Sequence, residues 1–220
     1  MSEDRLDRIR RSYDALASEY ARRIADELRH KPVDRELLDR FARLTAGRGP
    51  VCDLGCGPGH VARYLRDHNV EVFGLDLSAA MLEQARVLNP DIAFREGNML
   101  DLRRYRGSLA GVAAFYAIVN LPTELLPRVF GEMAGALQPD GLLLLAFHIG
   151  SEVMVVDELW EQRVDLEFVF FDPLKVRADL EAVGFAIEEL IERAPYPDVE
   201  YQSRRAYILA RKATGNRTDR

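Results

Sequence analysis

The sequence predicts a doubly wound α/β sheet built around a nucleoside site, and three stretches carry that prediction. The first is Val51-Cys52-Asp53-Leu54-Gly55-Cys56-Gly57-Pro58-Gly59-His60. It reads as a buried strand that breaks into a glycine turn and opens a helix, because His60 to Arg66 continues at helical spacing through Val61, Ala62 and Leu65. Glycine lets backbone approach a ligand closely, and the helix behind it aims unpaired N–H groups at the same place. The second is Glu71-Val72-Phe73-Gly74-Leu75, a short strand ending in Asp76, 21 residues after Gly55. A carboxylate so placed can bind both hydroxyls of a ribose. The third is Leu142 to Phe147, apolar nearly throughout, as a central strand covered on both faces must be.

Spacing decides which nucleoside. A dinucleotide fingerprint G-x-G-x-x-G requires glycine at position 60, where this chain has His60. The order here is Asp53-x-Gly55-x-Gly57-x-Gly59, with an acid two residues before the first glycine. That acid would repel a pyrophosphate and suits a cationic amino-acid group. In this pattern the chain resembles the class I S-adenosylmethionine-dependent methyltransferases of small-molecule type. The resemblance implies a seven-stranded, mostly parallel Rossmann-like sheet with N-terminal helices covering the site. It also implies S-adenosylmethionine as cofactor and methyl transfer to an O, N or C nucleophile of a small molecule. Asp53 would lie near the methionine amino group, Gly55, Cys56 and Gly57 along the amino-acid and ribose parts, and Asp76 on the ribose.

Taken in order, the chain opens with helical periodicity from about Leu6 to Leu28 through Ile9, Tyr13, Leu16, Tyr20 and Ile24. Tyr13-Asp14-Ala15-Leu16-Ala17-Ser18-Glu19-Tyr20 resembles the family's lead-in helix, which folds over the cofactor. This makes Tyr20 a cofactor candidate and Tyr13 a substrate candidate; both also fit as core-facing aromatics on an amphipathic helix. His30-Lys31-Pro32 breaks the chain, and Asp34 is expected to cap a second helix to about Leu44. Residues 5–46 then form a helical cap and 50–212 the core.

Ser78 is the expected N-cap of a helix from Ala79 to Leu88, ended by Asn89-Pro90. By resemblance, Leu77 and Met81 flank the adenine, although core packing accounts equally well for both. The third strand, Ile92 to Arg95, leads to Gly97-Asn98-Met99, similar to the family's turn around the adenine amino group. Asn98 stands where Asp is common, and its amide oxygen can accept the same bond with less charge assistance. The fourth strand, Leu109 to Tyr116, runs into Ala117-Ile118-Val119-Asn120 at the switch-point position. Phe115 and Tyr116 are cofactor candidates there, and Tyr116 and Asn120 substrate candidates. A helix from Thr123 to Leu137, a turn at Gln138-Pro139-Asp140-Gly141 and the fifth strand follow. That strand exits at His148, the candidate general base and substrate contact, since imidazole titrates near neutrality.

Residues 151–171 read as an insertion with alternating acids and apolar residues and an aromatic cluster, expected as a lid or substrate wall, with a dimer surface as the alternative. A helix from Pro173, a C-cap at Gly184, a strand from Ala186 to Arg193 and a last strand from Arg205 complete the domain. The polar tail 213–220 lacks periodicity and is expected to be disordered.

The 220 residues suit one α/β domain, and 48% hydrophobic with 30% charged residues is ordinary for a globular protein. The formal net charge of -6 argues against a nucleic-acid partner and favours a small-molecule substrate. No apolar run is long enough to span a bilayer and Met1 to Arg5 has no signal-peptide core, so a cytoplasmic monomer or homodimer is expected. The two cysteines, Cys52 and Cys56, read as buried small hydrophobes, with no metal site expected. Two other classes remain open: a SAM-binding protein without transfer activity, and a nicotinamide-dependent oxidoreductase on a similar fold.

Overall fold

Strand β5 (Leu137–His148) shows why this chain makes a sheet covered on both sides. Its successive side chains point to opposite faces. Leu143, Leu145 and Phe147 pack in one hydrophobic cluster with the buried residues of α5 (Leu126–Ala136) and α6 (Pro173–Ala182). Leu142, Leu144 and Ala146 pack in another with α2 (Pro32–Thr45), α3 (His60–Asp67) and α4 (Ala79–Leu88). Two dry faces on one strand require two helical layers.

The computed structural model describes residues 3–213. The remaining strands are β1 (Val51–Leu54), β2 (Val72–Asp76), β3 (Ala93–Glu96), β4 (Leu109–Phe115), β8 (Phe185–Arg193) and β9 (Arg205–Lys212). They form a seven-stranded sheet in the order β3-β2-β1-β4-β5-β9-β8. All pairings from β3 to β5 are parallel, and β9 is antiparallel to both neighbours. The expected doubly wound sheet is present. The order reverses between β1 and β4, which opens a crevice beyond their carboxyl ends.

Element boundaries differ from expectation in instructive ways. The first helix, α1 (Glu3–Ile24), stops before Leu28, and Glu27–His30 forms a separate 3-10 turn. Pro32 rather than Asp34 opens α2, because proline is pre-set for the first helical position. Asp34 instead turns inward to Arg193 and Tyr207. The segment Thr123–Leu125 is 3-10, and α5 starts only at Leu126. Ser78 caps α4 as expected, its Oγ accepting the Met81 N–H at 3.1 Å.

The insertion folds as an antiparallel hairpin, β6 (Val153–Leu159) and β7 (Gln162–Val169), whose turn places Trp160 and Glu161 in left-handed backbone. Its dry face lies on α1: Leu16, Val164 and Leu166 form a third core, separate from the two that flank the sheet. Of the tail 213–220 expected to be disordered, Ala213 instead bonds its N–H to the Gly184 carbonyl at 2.8 Å, continuing the pairing at the end of β9, and 214–220 lie outside the described residues.

Candidate functional site

A cavity of about 810 Å³, mouth included, fills the crevice at the sheet's reversal. Its floor comes from the strand ends: Leu54, Gly55 and Gly57 after β1, Leu75 to Leu77 at β2, and Phe115, Tyr116 and Ala117 after β4. Its roof is α1, which contributes Leu6, Ile9, Tyr13 and Tyr20. Glycine is required in the floor for two different reasons. Gly55 has φ 69°, and a Cβ there would meet Ala117 Cβ at 2.7 Å, so the β1 and β4 exits could not close together. Gly57 has φ 49°, and its Cβ would meet only Tyr20, at 3.8 Å. That absent side chain leaves backbone facing the cavity.

Asp76 is the fixed polar point of the floor. Its Oδ2 accepts the Gly57 N–H at 2.8 Å and its Oδ1 the Ser78 N–H at 2.9 Å. Burial raises its pKa, while the amides of Ser78, Gly57 and Leu77 oppose that shift. The carboxylate is thus locked in orientation beside the glycine turn. Leu77, Met81 and Met99 supply an apolar wall, and Asn98 stands at its end. One lone pair of Asn98 Oδ1 is already used by the Leu100 N–H, at 2.9 Å.

The roof is tied down at two points. Asp14 Oδ1 accepts from Ser78 Oγ at 2.6 Å and from Ala80 N at 3.2 Å, so a carboxylate from α1 sits on the N-terminus of α4, where the helix dipole favours it. Tyr13 Oη donates to Asn120 Oδ1 at 2.7 Å, and Asn120 Nδ2 donates to the Glu167 carbonyl at 2.9 Å. Roof, switch-point loop and hairpin are therefore one hydrogen-bonded chain.

The comparisons with known proteins agree with this geometry. A family model described as a methyltransferase domain matches residues 51–141, which hold the glycine turn, Asp76, Asn98 and the β4 exit. The malonyl-[acyl-carrier protein] O-methyltransferase of Pectobacterium atrosepticum is 32% identical over 143 residues, 58% of this chain and 54% of that protein. These findings support a class I S-adenosylmethionine-dependent methyltransferase, with the domain match confined to residues 51–141. A trans-aconitate 2-methyltransferase from Afipia carboxidovorans is 40% identical over 76 residues, 34% of this chain and 28% of that protein. The chain thus spans about half or less of the length of these curated relatives. A crystal structure of an S-adenosylmethionine-dependent methyltransferase from Mesorhizobium loti has the same fold, with a TM-score of 0.63 at 21% identity over 80% of this chain and 96% of that one.

The cavity brings together Tyr13, Tyr20, Gly55, Gly57, Asp76, Leu77, Met81, Asn98, Met99, Phe115, Tyr116 and Asn120. Three expected residues lie elsewhere. Asp53 does not line the cavity; it is 2% exposed and its Oδ2 accepts the Ala62 N–H at 2.9 Å, inside the first turn of α3. Burial pushes its pKa up to about 7, with His60 and the Ala62 amide opposing. Cys56 turns its thiol into the core, where a Cβ on Gly74 would meet its Sγ at 2.7 Å. His148 does not line the cavity either. Its Nδ1 bonds Ser203 Oγ at 2.7 Å and its ring packs against Tyr116, Phe170 and Tyr201. Burial, with Arg205 and Lys31 nearby, pulls its pKa down to about 3, which removes the basis for the expected base.

The aromatic cluster of the insertion is also not a pocket wall. Trp160 packs on Tyr20 from behind, and Phe171 packs on Phe147 in the core. Leu6 and Ile9 line the site without having been expected there. Their signal is present in the sequence, since Leu6, Ile9 and Tyr13 recur at helical spacing on the face that carries Tyr20.

Proposed function

We propose that this chain binds S-adenosylmethionine in the cavity under α1 and transfers its methyl group to a nucleophile of a small molecule. The observation that carries the reading is Asp76, an oriented carboxylate beside a glycine floor with open space above it. The residues fit the cofactor by their chemistry: Asp76 for the ribose hydroxyls, Gly55 and Gly57 for the amino-acid part, and Leu77, Met81, Asn98 and Met99 for the adenine.

When bound, the cofactor supplies a methyl carbon activated by the attached sulfonium. The chain's own task is then positioning, worth far more than any single acid or base in an in-line displacement. Tyr20 from the roof and Phe115 and Tyr116 from the floor narrow the cavity around the amino-acid end. Tyr13 and Asn120 hold α1 over the cavity and exclude water from it. We infer a small-molecule acceptor from two supports: the net charge of -6, and relatives whose names specify malonyl-[acyl-carrier protein] and trans-aconitate. A cytoplasmic location belongs to the same proposal. Among the described residues no helix is long and apolar enough to cross a membrane.

Calorimetric titration with S-adenosylmethionine, S-adenosylhomocysteine and NAD tests the reading. Both sulfur compounds should bind, NAD should not, and Asp76→Ala should weaken binding at least about a hundredfold, the loss expected when a charged acceptor of two hydroxyls is removed. Preference for NAD, or an Asp76→Ala variant that binds as well as the wild type, would overturn it.

A further inference from the structure

Tyr116 separates the cavity from a buried charged cluster that cofactor binding leaves unused. It leaves β4 with φ 54°, backbone that an aromatic residue adopts at a cost and that clusters at functional sites. Its Oη lies 3.2 Å from the Oη of Tyr207, a fully buried residue of β9. Tyr207 Oη donates to Asp34 Oδ2 at 2.9 Å and accepts from Arg193 Nε at 2.9 Å. Arg193 also donates a second N–H to Asp34 Oδ2, at 2.9 Å.

Counting protons fixes the direction of this chain. Arginine only donates, an ionised carboxylate only accepts, and each phenol has one proton. The proton of Tyr207 is committed to Asp34, so Tyr116 must be the donor between the two phenols. Toward any third partner, Tyr116 Oη can then only accept. At the far end, Asp34 is 1% exposed and its Oδ1 is buried without a partner. A carboxylate with one bare oxygen takes up a proton more readily than a fully solvated one. Burial raises the pKa of Asp34 in the same sense, against Arg193, Lys31 and Tyr207.

We propose that Tyr116, Tyr207 and Asp34 form a one-way proton relay that accepts the proton of a neutral hydroxyl or amine substrate. The inference rests on the methyl-transfer reading above. As the nucleophile's bond to the methyl carbon forms, the carbon–sulfur bond breaks and its electron pair stays on sulfur. The nucleophile's proton passes to Tyr116 Oη, the proton of Tyr116 to Tyr207 Oη, and that of Tyr207 to Asp34 Oδ2. Burial holds both phenols above their ordinary pKa, and in this transfer neither becomes a phenolate. Tyr116 is the catalytic residue; Tyr207 and Asp34 act through it as positioning residues. The charged and titratable groups facing them are Lys31, Arg193, Arg205, His148 and Tyr20, with Glu200 behind these, paired with Arg193, Arg205 and Lys31.

The test uses the full chain with tyrosine labelled with carbon-13 at the ζ position. A phenol that donates a hydrogen bond has its ζ resonance moved downfield, and one that accepts has it moved upfield. Tyr207→Phe, which deletes one oxygen, should move the Tyr116 resonance upfield; a downfield move or none overturns the relay. Asp34→Asn should also move the Tyr116 resonance, and that response should vanish when Tyr207→Phe is present. An equal response in both backgrounds would mean a field effect through space and would also overturn it. Should Asp34→Asn fail to fold, the Tyr207→Phe arm decides alone. Calorimetry with S-adenosylmethionine on the same samples keeps the two readings apart: loss of cofactor binding in the wild type would defeat the methyl-transfer reading without touching the measured direction of the phenol bond.

Discussion

Asp53 shows how far one buried residue can depart from the role its motif suggests. An acid two residues before the first glycine counts against a dinucleotide, as does His60 in place of the third glycine of that fingerprint. That spacing does not reveal that the carboxylate turns away from the cavity to hold the Ala62 N–H, because the direction depends on how α3 docks. The consequence is a pH response. A carboxyl with a folded pKa of about 7 binds its proton more tightly folded than unfolded. Its stabilising contribution is complete below the ordinary carboxyl range near 4 and is lost as pH rises through about 7. Asp53→Asn keeps an acceptor for Ala62 and removes that loss. Urea titrations between pH 4 and 8 should show the wild type losing a few kcal/mol relative to the variant over this interval, on the order of 1.4 kcal/mol for each tenfold difference in proton affinity between the folded and unfolded chain. Parallel curves for the two proteins would show that Asp53 is ionised without cost. Asn98 gives a second test at the same scale. Asn98→Asp makes the acceptor at the adenine end charged, and S-adenosylmethionine should bind several-fold more tightly, roughly 1 kcal/mol. Unchanged or weaker binding by calorimetry would show that this side chain does not reach the purine. His148 departs from its expected role for a similar reason. A strand end can be read from sequence, but the antiparallel partner that turns His148 toward Ser203 and Arg205 comes from the far end of the chain.

At the scale of elements, α1 and the β6–β7 hairpin form a unit of their own. Their shared core of Leu16, Val164 and Leu166 is distinct from the cores that flank the sheet. Side-chain bonds reinforce it, with Arg8 reaching Asp165 at 3.2 Å and Ser12 Oγ accepting the Asp165 N–H at 2.9 Å. The unit is fastened to the sheet through the side-chain bonds of Asp14, Tyr13 and Asn120, and through the Val169 N–H to the Val119 carbonyl at 2.7 Å. Leu6 and Val169 also pack on the sheet's own core. With these attachments shared by both elements, the unit should open over the cavity as one piece. Leu16→Ala removes a fully buried side chain from this small core, a change that costs about 2–5 kcal/mol where the site cannot collapse. Hydrogen exchange should then rise together in α1 and β7 while amides of β4 and β5 keep their protection. Faster exchange confined to α1 would refute the shared unit. The helical spacing of α1 and the strand-like alternation of 164–171 are both legible in the sequence. Their contact is not, since Ser12 and Asp165 stand 153 residues apart and nothing local records their meeting.

The whole molecule depends on a charged cluster that joins its first and last elements. Lys31 and Asp34 come from the N-terminal helices, Arg193 from β8, Arg205 and Tyr207 from β9, and Glu200 from the loop between those strands. Sequence patterning foretells the parallel half of the sheet because apolar strands and glycine turns announce themselves locally. Asp34 and Tyr207 lie 173 residues apart, and each charge alone reads as an ordinary surface residue. Inside the fold, Arg193 is the shared partner: its side chain is 9% exposed and bridges Asp34, 1% exposed, and Glu200, 3% exposed. Its guanidinium also lies 4.1 Å from the Tyr196 ring centroid. Removing one partner of a buried pair leaves an uncompensated charge and costs about 3–5 kcal/mol. Arg193→Ala strands Asp34, while Glu200 keeps Arg205 and Lys31, so the loss should fall within that range, a large part of the roughly 5–15 kcal/mol that holds a folded domain together. Equilibrium urea unfolding should show this loss, and Arg193→Lys should recover only part of it, because an ammonium cannot reproduce the fork that engages both acids. A loss below about 1 kcal/mol in Arg193→Ala would mean that water reaches the cluster and screens it. In that event the proton relay would lose its basis too, since a wet Asp34 would have no bare oxygen to draw a proton from the cavity.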